Sequence, residues 1–140
     1  MVEEHQKTRQ LLGNISDTVG YTLENEAYKF LPMLLEHDFG IILNTDIKRQ
    51  YVMDNKGKSL EVNIFAEGEQ NGQTIVIIGE SKSRLSKNNV DRFIRKRLKR
   101  YEGMFPKIFP VVVGHITSSA DVEDYIKEKD IAVYYSYQFR

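Results

Sequence analysis

Glu80-Ser81-Lys82 sets a carboxylate and an amine two residues apart, on one side of an extended chain. Asn63 lies on the preceding strand-like segment, where it could face them. Oxygen ligands from adjacent strands, Asn63 and Glu80, suit a hard divalent cation such as Mg²⁺ (or Mn²⁺), with a backbone carbonyl near Ser81 and water completing the shell. Lys82 beside that cation would hold or help deprotonate a water, or stabilise charge developing on a phosphate. Read alone, Glu-x-Lys is equally a surface ion pair at a strand end. Position adds weight: it follows a β-branched run, Thr74 to Gly79, and precedes a basic segment.

Other chemistries find less support. The chain has no cysteine, which removes disulfides and thiolate metal sites. His5, His37 and His115 fit no ligand spacing, and His115 reads as a half-buried imidazole at a strand end. Ser81 and Ser83 have no adjacent base to activate them.

Charge is distributed unevenly. The 140 residues carry 20 Lys or Arg and 20 Asp or Glu, for a net charge of zero. Yet Lys82 to Arg100 holds nine basic residues and one acid, Asp91. Such asymmetry forms a one-sided basic patch, although a solvated helix face has the same composition. Hydrophobic residues at 41% and charged residues at 29% fit one soluble globular domain. No apolar run approaches the roughly 18 residues of a membrane span, so no membrane partner is expected. The polar N-terminus MVEEHQKTRQ does not read as a secretory signal, and a cytoplasmic location is the expectation.

These residues need elements to position them. Gly13-Asn14 is expected to break any helix, leaving 1–15 as an arm and 16–140 as the folded domain. Ser16 or Asp17 would cap a helix to about His37, with Val19, Leu23, Ala27, Phe30 and Leu34 in one stripe. Pro32 should kink or split it, and Gly40 suits a left-handed cap. Asp46 to Met53 reads as a strand and Asp54-Asn55-Lys56-Gly57 as a hairpin turn. Leu60 to Glu67 alternates, with Leu60, Val62 and Ile64 on one face and Glu61, Asn63 and Phe65 on the other. Thr74 to Gly79 is the expected sheet centre. A helix capped by Asn88 or Asn89 should run to about Glu102, with Arg97 on its apolar side needing an acid, a ligand or an escape to solvent. A strand at Phe109 to Ile116, a helix capped within Thr117–Ser119, and a last strand Ile131 to Phe139 complete the chain. The fold class is α/β, a mixed sheet flanked by helices in the order α-β-β-β-α-β-α-β.

Three short motifs in order resemble the PD-(D/E)XK nuclease superfamily, the restriction-endonuclease-like fold that includes archaeal Holliday-junction resolvases. Gly20-Tyr21-Thr22-Leu23-Glu24 is similar to the family's helix signature, Glu61-Val62-Asn63-Ile64 to its acidic strand motif, and IVIIGESK (75–82) to its apolar strand ending in E-x-K. The resemblance covers about residues 16 to 100, and with the βα ending the whole domain. It implies a metal-dependent phosphodiesterase acting on DNA. Glu80 would be a metal ligand, Lys82 the catalytic lysine, and Glu24 the helix acid, with Glu26 as competitor for that role. Asn63 departs from the pattern, which requires Asp, and an amide removes a unit charge from a site that works by charge. A degenerate DNA-binding member, an inactivated variant, and replacement by Glu61 two residues back are the three explanations.

Two functions follow as expectations. One is a DNA endonuclease, active or weakened, gripping phosphates through Arg84, Lys87, Arg92, Arg95, Lys96, Lys99 and Arg100. The other is a non-catalytic nuclease-like module that binds nucleic acid or a protein. A homodimer is compatible with either, through the arm or the last strand. Tyr134, Tyr135 and Tyr137 there read as core or interface residues, or as platforms for bases.

Overall fold

In a computed structural model, the backbone is described from Glu4 and the side chains from Thr22 to Arg140. A helix, α1 (Glu4–Phe39), leads into β1 (Ile41–Leu43), β2 (Lys48–Met53), β3 (Ser59–Gln70) and β4 (Gln73–Ser81). After β5 (Arg84–Leu85) comes α2 (Lys87–Phe93), which continues as a π-helical turn, Ile94–Leu98, and a 3₁₀ turn, Lys99–Tyr101. Then follow β6 (Ile108–Gly114), β7 (Ile116–Thr117), α3 (Val122–Glu128), β8 (Ala132–Tyr135) and a 3₁₀ turn, Ser136–Gln138. The expected order holds, with β1, β5 and β7 as additional short strands.

The main sheet has the order β1-β3-β4-β6-β8, and β2 also pairs with β3. Strands β1 to β4 pair antiparallel, whereas β4, β6 and β8 run parallel. Parallel pairs need crossovers, and α2 and α3 supply them. Strand β4 is buried on both faces as its β-branched run requires. Ile75 and Ile77 pack under Leu23, Ala27, Leu31 and Leu35 of α1. Val76 and Ile78 pack under Val90 and Phe93 of α2 and Val122 and Ile126 of α3. Each such side chain contributes roughly 1.5–3 kcal/mol by leaving water.

Several boundaries differ from those read in the sequence. Helix α1 is one helix from Glu4, without the break expected at Gly13-Asn14 or the split at Pro32. Leu31 and Leu35, both fully buried, hold the turn around Pro32 against the sheet. Ser16 and Asp17 therefore lie inside α1 and do not start it, while the side chains of Val19 and Tyr21 lie outside the described residues. Gly40 does take the left-handed conformation, φ +67°. Helix α2 is capped by Ser86, not Asn88 or Asn89, because the Ser86 hydroxyl accepts from the Asn89 amide at 3.1 Å. Helix α3 starts later than expected, since Ile116-Thr117 pairs with Arg84-Leu85 as a two-stranded ribbon. The last strand ends early because the Gln138 side chain accepts from the Tyr135 amide at 2.8 Å, folding the chain into a turn. Phe139 consequently lands on the α1 side, stacked on Phe30 at 6.3 Å, and not with Ile131 and Tyr135.

Candidate functional site

Strand β3 does not alternate cleanly through its middle. Its register against β2 shifts between Lys48 and Gln50, a β-bulge opposite Arg49. The extra residue turns Ile64 to the α1 face and Phe65 to the α2 face. This corrects the expected faces, Leu60-Val62-Ile64 against Glu61-Asn63-Phe65. Pairing of β3 with β4 ends at Ile64–Gly79, and beyond it the strands part. Two β3 carbonyls are satisfied by side chains: Tyr28 Oη donates to Asn63 O at 2.8 Å, and Arg97 Nε to Glu61 O at 2.8 Å. Arg97 thus resolves its place on the apolar side by capping a backbone carbonyl, a partner the sequence did not suggest.

At this fork Arg49 gathers three side chains. Its guanidinium donates to both oxygens of Glu24, through Nη2 to Oε1 and through Nε to Oε2 at 3.3 Å. Nη1 meets Glu61 Oε1 at 2.9 Å. With the amide oriented by its donors, Asn63 Oδ1 accepts from Nη2 at 2.9 Å and from Nη1 at 3.2 Å. Ser81 Oγ donates to Glu24 Oε1 at 3.2 Å, and the single proton of Tyr28 Oη is shared between Asn63 O and Glu24 Oε2, the latter at 3.2 Å. Glu24 is only 5% exposed, so this saturation is what makes its charge tolerable there. Burial opposes the charge of Arg49, but the hydrogen bond and charge of Glu24, with Glu61, hold its pKa above the ordinary arginine value. Burial and then the Glu24 carboxylate push the Tyr28 phenol up to about 12. Glu26, by contrast, pairs with exposed Lys29 at 3.8 Å.

Glu80 and Lys82 belong to a different environment. The alternation of β4 turns Ser81 to the α1 face and Glu80 to the α2 face, toward Lys82, Arg97 and Arg92. Burial raises the pKa of Glu80, opposed by the charges of Lys82, Arg97 and Arg92 in that order. Gly79 lets β4 and β6 approach just before this point: a Cβ there would sit 2.6 Å from Val111 Cγ1 and 2.7 Å from Val111 O.

The basic helix is pinned at its far end. Asp54, with a fully buried side chain, accepts from the Lys56 and Lys58 amides at 2.9 and 2.8 Å. It also pairs with Arg100 Nη2 at 2.6 Å. Asn55 donates to Lys99 O at 3.2 Å, and Tyr101 Oη to Val52 O at 2.7 Å. Lys87 pairs with Asp121 at 2.7 Å, which draws the Asp121 pKa down to about 2. Of the seven cations expected to meet phosphates, Lys87 and Arg100 are therefore engaged within the protein. Arg84, Arg92, Arg95, Lys96 and Lys99 are exposed and make no ion pair among the described residues. Tyr134 and Tyr135 donate to Asp38 and Glu123 at 2.6 Å each, while exposed Tyr137 stacks on Tyr135.

Asn63, Glu80 and Ser81 do not share one face, both oxygens of Glu24 are occupied, and the Asn63 carbonyl oxygen is turned to a guanidinium. Among the described residues no three His, Cys, Asp or Glu side chains form a metal-holding group. The arrangement does not fit a divalent cation. Arg49 was missed in the sequence because nothing local distinguishes it from the other basic residues; only the bulge and the fold of α1 bring it to Glu24.

No protein-family model and no curated protein matches the chain. Two solved structures share its fold. A protein of unknown function, AF1548, is 16% identical, with a TM-score of 0.53 over 79% of this chain and 56% of that one. MspJI restriction endonuclease, solved with a 27-mer oligonucleotide, is 14% identical, with a TM-score of 0.56 over 95% of this chain and 29% of that one. The chain spans about half the length of the first and less than a third of the second. Its mixed sheet and flanking helices form a restriction-endonuclease-like fold.

Proposed function

We propose that this domain binds DNA through the exposed face of α2 and the residues that continue it, with Arg84, Arg92, Arg95, Lys96 and Lys99 on phosphates. The observation that carries the reading is the engagement of Lys87 and Arg100 in internal pairs while these five cations stay exposed, with Arg92 close enough to Glu80 to act on its charge. Cations held on a rigid, anchored helix grip a polyanion with little loss of order. The likeness to MspJI supports a nuclease-type fold for this surface.

Hydrolysis is the second reading, favoured by the half-buried Glu80 beside Lys82 at the end of β4. Lys82 would neutralise charge on a phosphate held by Arg92, and Glu80 would exchange a proton with water. Binding of labelled duplex, branched and single-stranded DNA across a salt series tests the first reading; it requires a log–log slope of about −0.9 per phosphate contact on duplex. A flat salt dependence overturns it. Incubation with Mg²⁺ or Mn²⁺ tests the second, with Asn63→Asp as the gain-of-charge variant. Cleavage must vanish with Lys82→Ala for the hydrolase reading to stand.

A further inference from the structure

At the fork between β3 and β4, one guanidinium is enclosed by two carboxylates and one amide oxygen, all from different positions of the fold. This is an oxygen-rich seat of the kind that hard cations take, and its centre is filled by the protein's own charge. We propose that Arg49 is a built-in occupant of a cation seat formed by Glu24, Glu61 and Asn63, so that its side chain and a divalent ion exclude each other. The inference rests on the nuclease-type reading only for the choice of ion; the seat itself rests on the contacts of Arg49.

Three features favour an occupant over an ordinary structural ion pair. Arg49 is 36% exposed at its side chain whereas Glu24 is 6%, so the guanidinium enters from the solvent side and has a path out. Its partners come from α1 and from β3 beside the bulge, so three separate side chains converge on one guanidinium. Glu24 is additionally held by Tyr28 and Ser81, so the carboxylate stays fixed when Arg49 is withdrawn. Removing the guanidinium leaves two carboxylates uncompensated, and a divalent cation is the compact charge that replaces it.

The test is ion binding, read without catalysis. Mn²⁺ is titrated into the wild type and Arg49→Ala by thermal shift, and Tb³⁺ by luminescence sensitised through Tyr28, whose hydroxyl is 3.2 Å from Glu24. Arg49→Ala should bind Mn²⁺ about tenfold or more tightly than the wild type, since ligand charge sets affinity in such sites. Adding guanidinium ion at millimolar, non-denaturing concentration against matched NaCl should reverse the gain, which a merely structural role would not do. Glu24→Gln in the Arg49→Ala background should abolish it. If Arg49→Ala does not fold, Arg49→Gln keeps a donor for Glu24 and carries the same test. A folded Arg49 variant with wild-type ion affinity, or a gain indifferent to guanidinium, overturns the proposal. An Arg49 variant that binds the ion but cuts no DNA leaves the seat standing and removes the hydrolase reading. A wild type that cuts DNA with Mn²⁺ while Arg49→Ala leaves its ion affinity unchanged does the reverse.

Discussion

Glu80 and Ser81, neighbours in the chain, serve opposite faces of the sheet. Ser81 donates to Glu24 at 3.2 Å beneath α1, while Glu80 lies under the Arg92 and Arg97 side of α2. One strand end thus joins an acid–arginine cluster to a basic surface, and each half can be perturbed separately.

Glu80 should cost stability when charged. Its pKa is raised in the folded state, so folding favours the protonated form and stability falls as pH rises from the unfolded value through the folded one. Glu80→Gln should therefore melt higher than the wild type at neutral pH. The gap should close below about pH 4, near the ordinary carboxylate value. Melting curves across pH check this; a variant less stable at pH 7 contradicts it.

Arg49→Ala should destabilise the fold, because it leaves the buried Glu24 carboxylate with only Tyr28 and Ser81. A loss of about 2–3 kcal/mol is expected, below the range for fully buried pairs because Arg49 is partly solvated. Chemical denaturation measures it, and a double-mutant cycle with Glu24→Gln should recover most of the loss.

Gly79→Ala should destabilise by about 1–3 kcal/mol through overpacking. The added methyl meets Val111 Cγ1 at 2.6 Å, the Val111 carbonyl oxygen at 2.7 Å and Ile64 Cβ at 3.1 Å, and no side-chain rotation relieves the backbone contact. Denaturation of the variant should show this loss with secondary structure retained; an unchanged midpoint would mean β4 and β6 can separate freely.

The exposed cations of the basic segment should be separable from the engaged ones. Arg92→Ala and Arg95→Ala should each weaken DNA binding and lower the magnitude of the salt slope by about 0.9. Lys87→Ala, whose ammonium is held by Asp121, should leave the slope near wild type. Fluorescence anisotropy at several salt concentrations distinguishes these outcomes.

Much of the fold was legible in local pattern. The β-branched run 74–79 marked the central strand, Gly40 marked the end of α1, and the order of strands and helices followed from periodicity. The acid–arginine cluster was not legible. A bulge leaves no signature in the composition of β3, so the faces of Ile64 and Phe65 could not be read from alternation. Arg49 meets Glu24 across 25 residues and Ser81 meets it across 57, and nothing local links them. Glu80 and Lys82 were marked by spacing, but strand pleat, not spacing, decides which helix they face. The engagement of Arg100 likewise required the hairpin tip to fold back onto the 3₁₀ turn.

That tip fixes how the two halves of the site can move. Arg49 and Val52 share β2; the Asp54–Arg100 pair and the Tyr101 bond to Val52 bolt the same strand to the end of the basic segment. The arginine that fills the acidic cluster and the segment carrying the exposed cations are therefore tied to one strand. The shortest bonded route from that segment to Arg49 runs along β2 and not through the centre of the sheet.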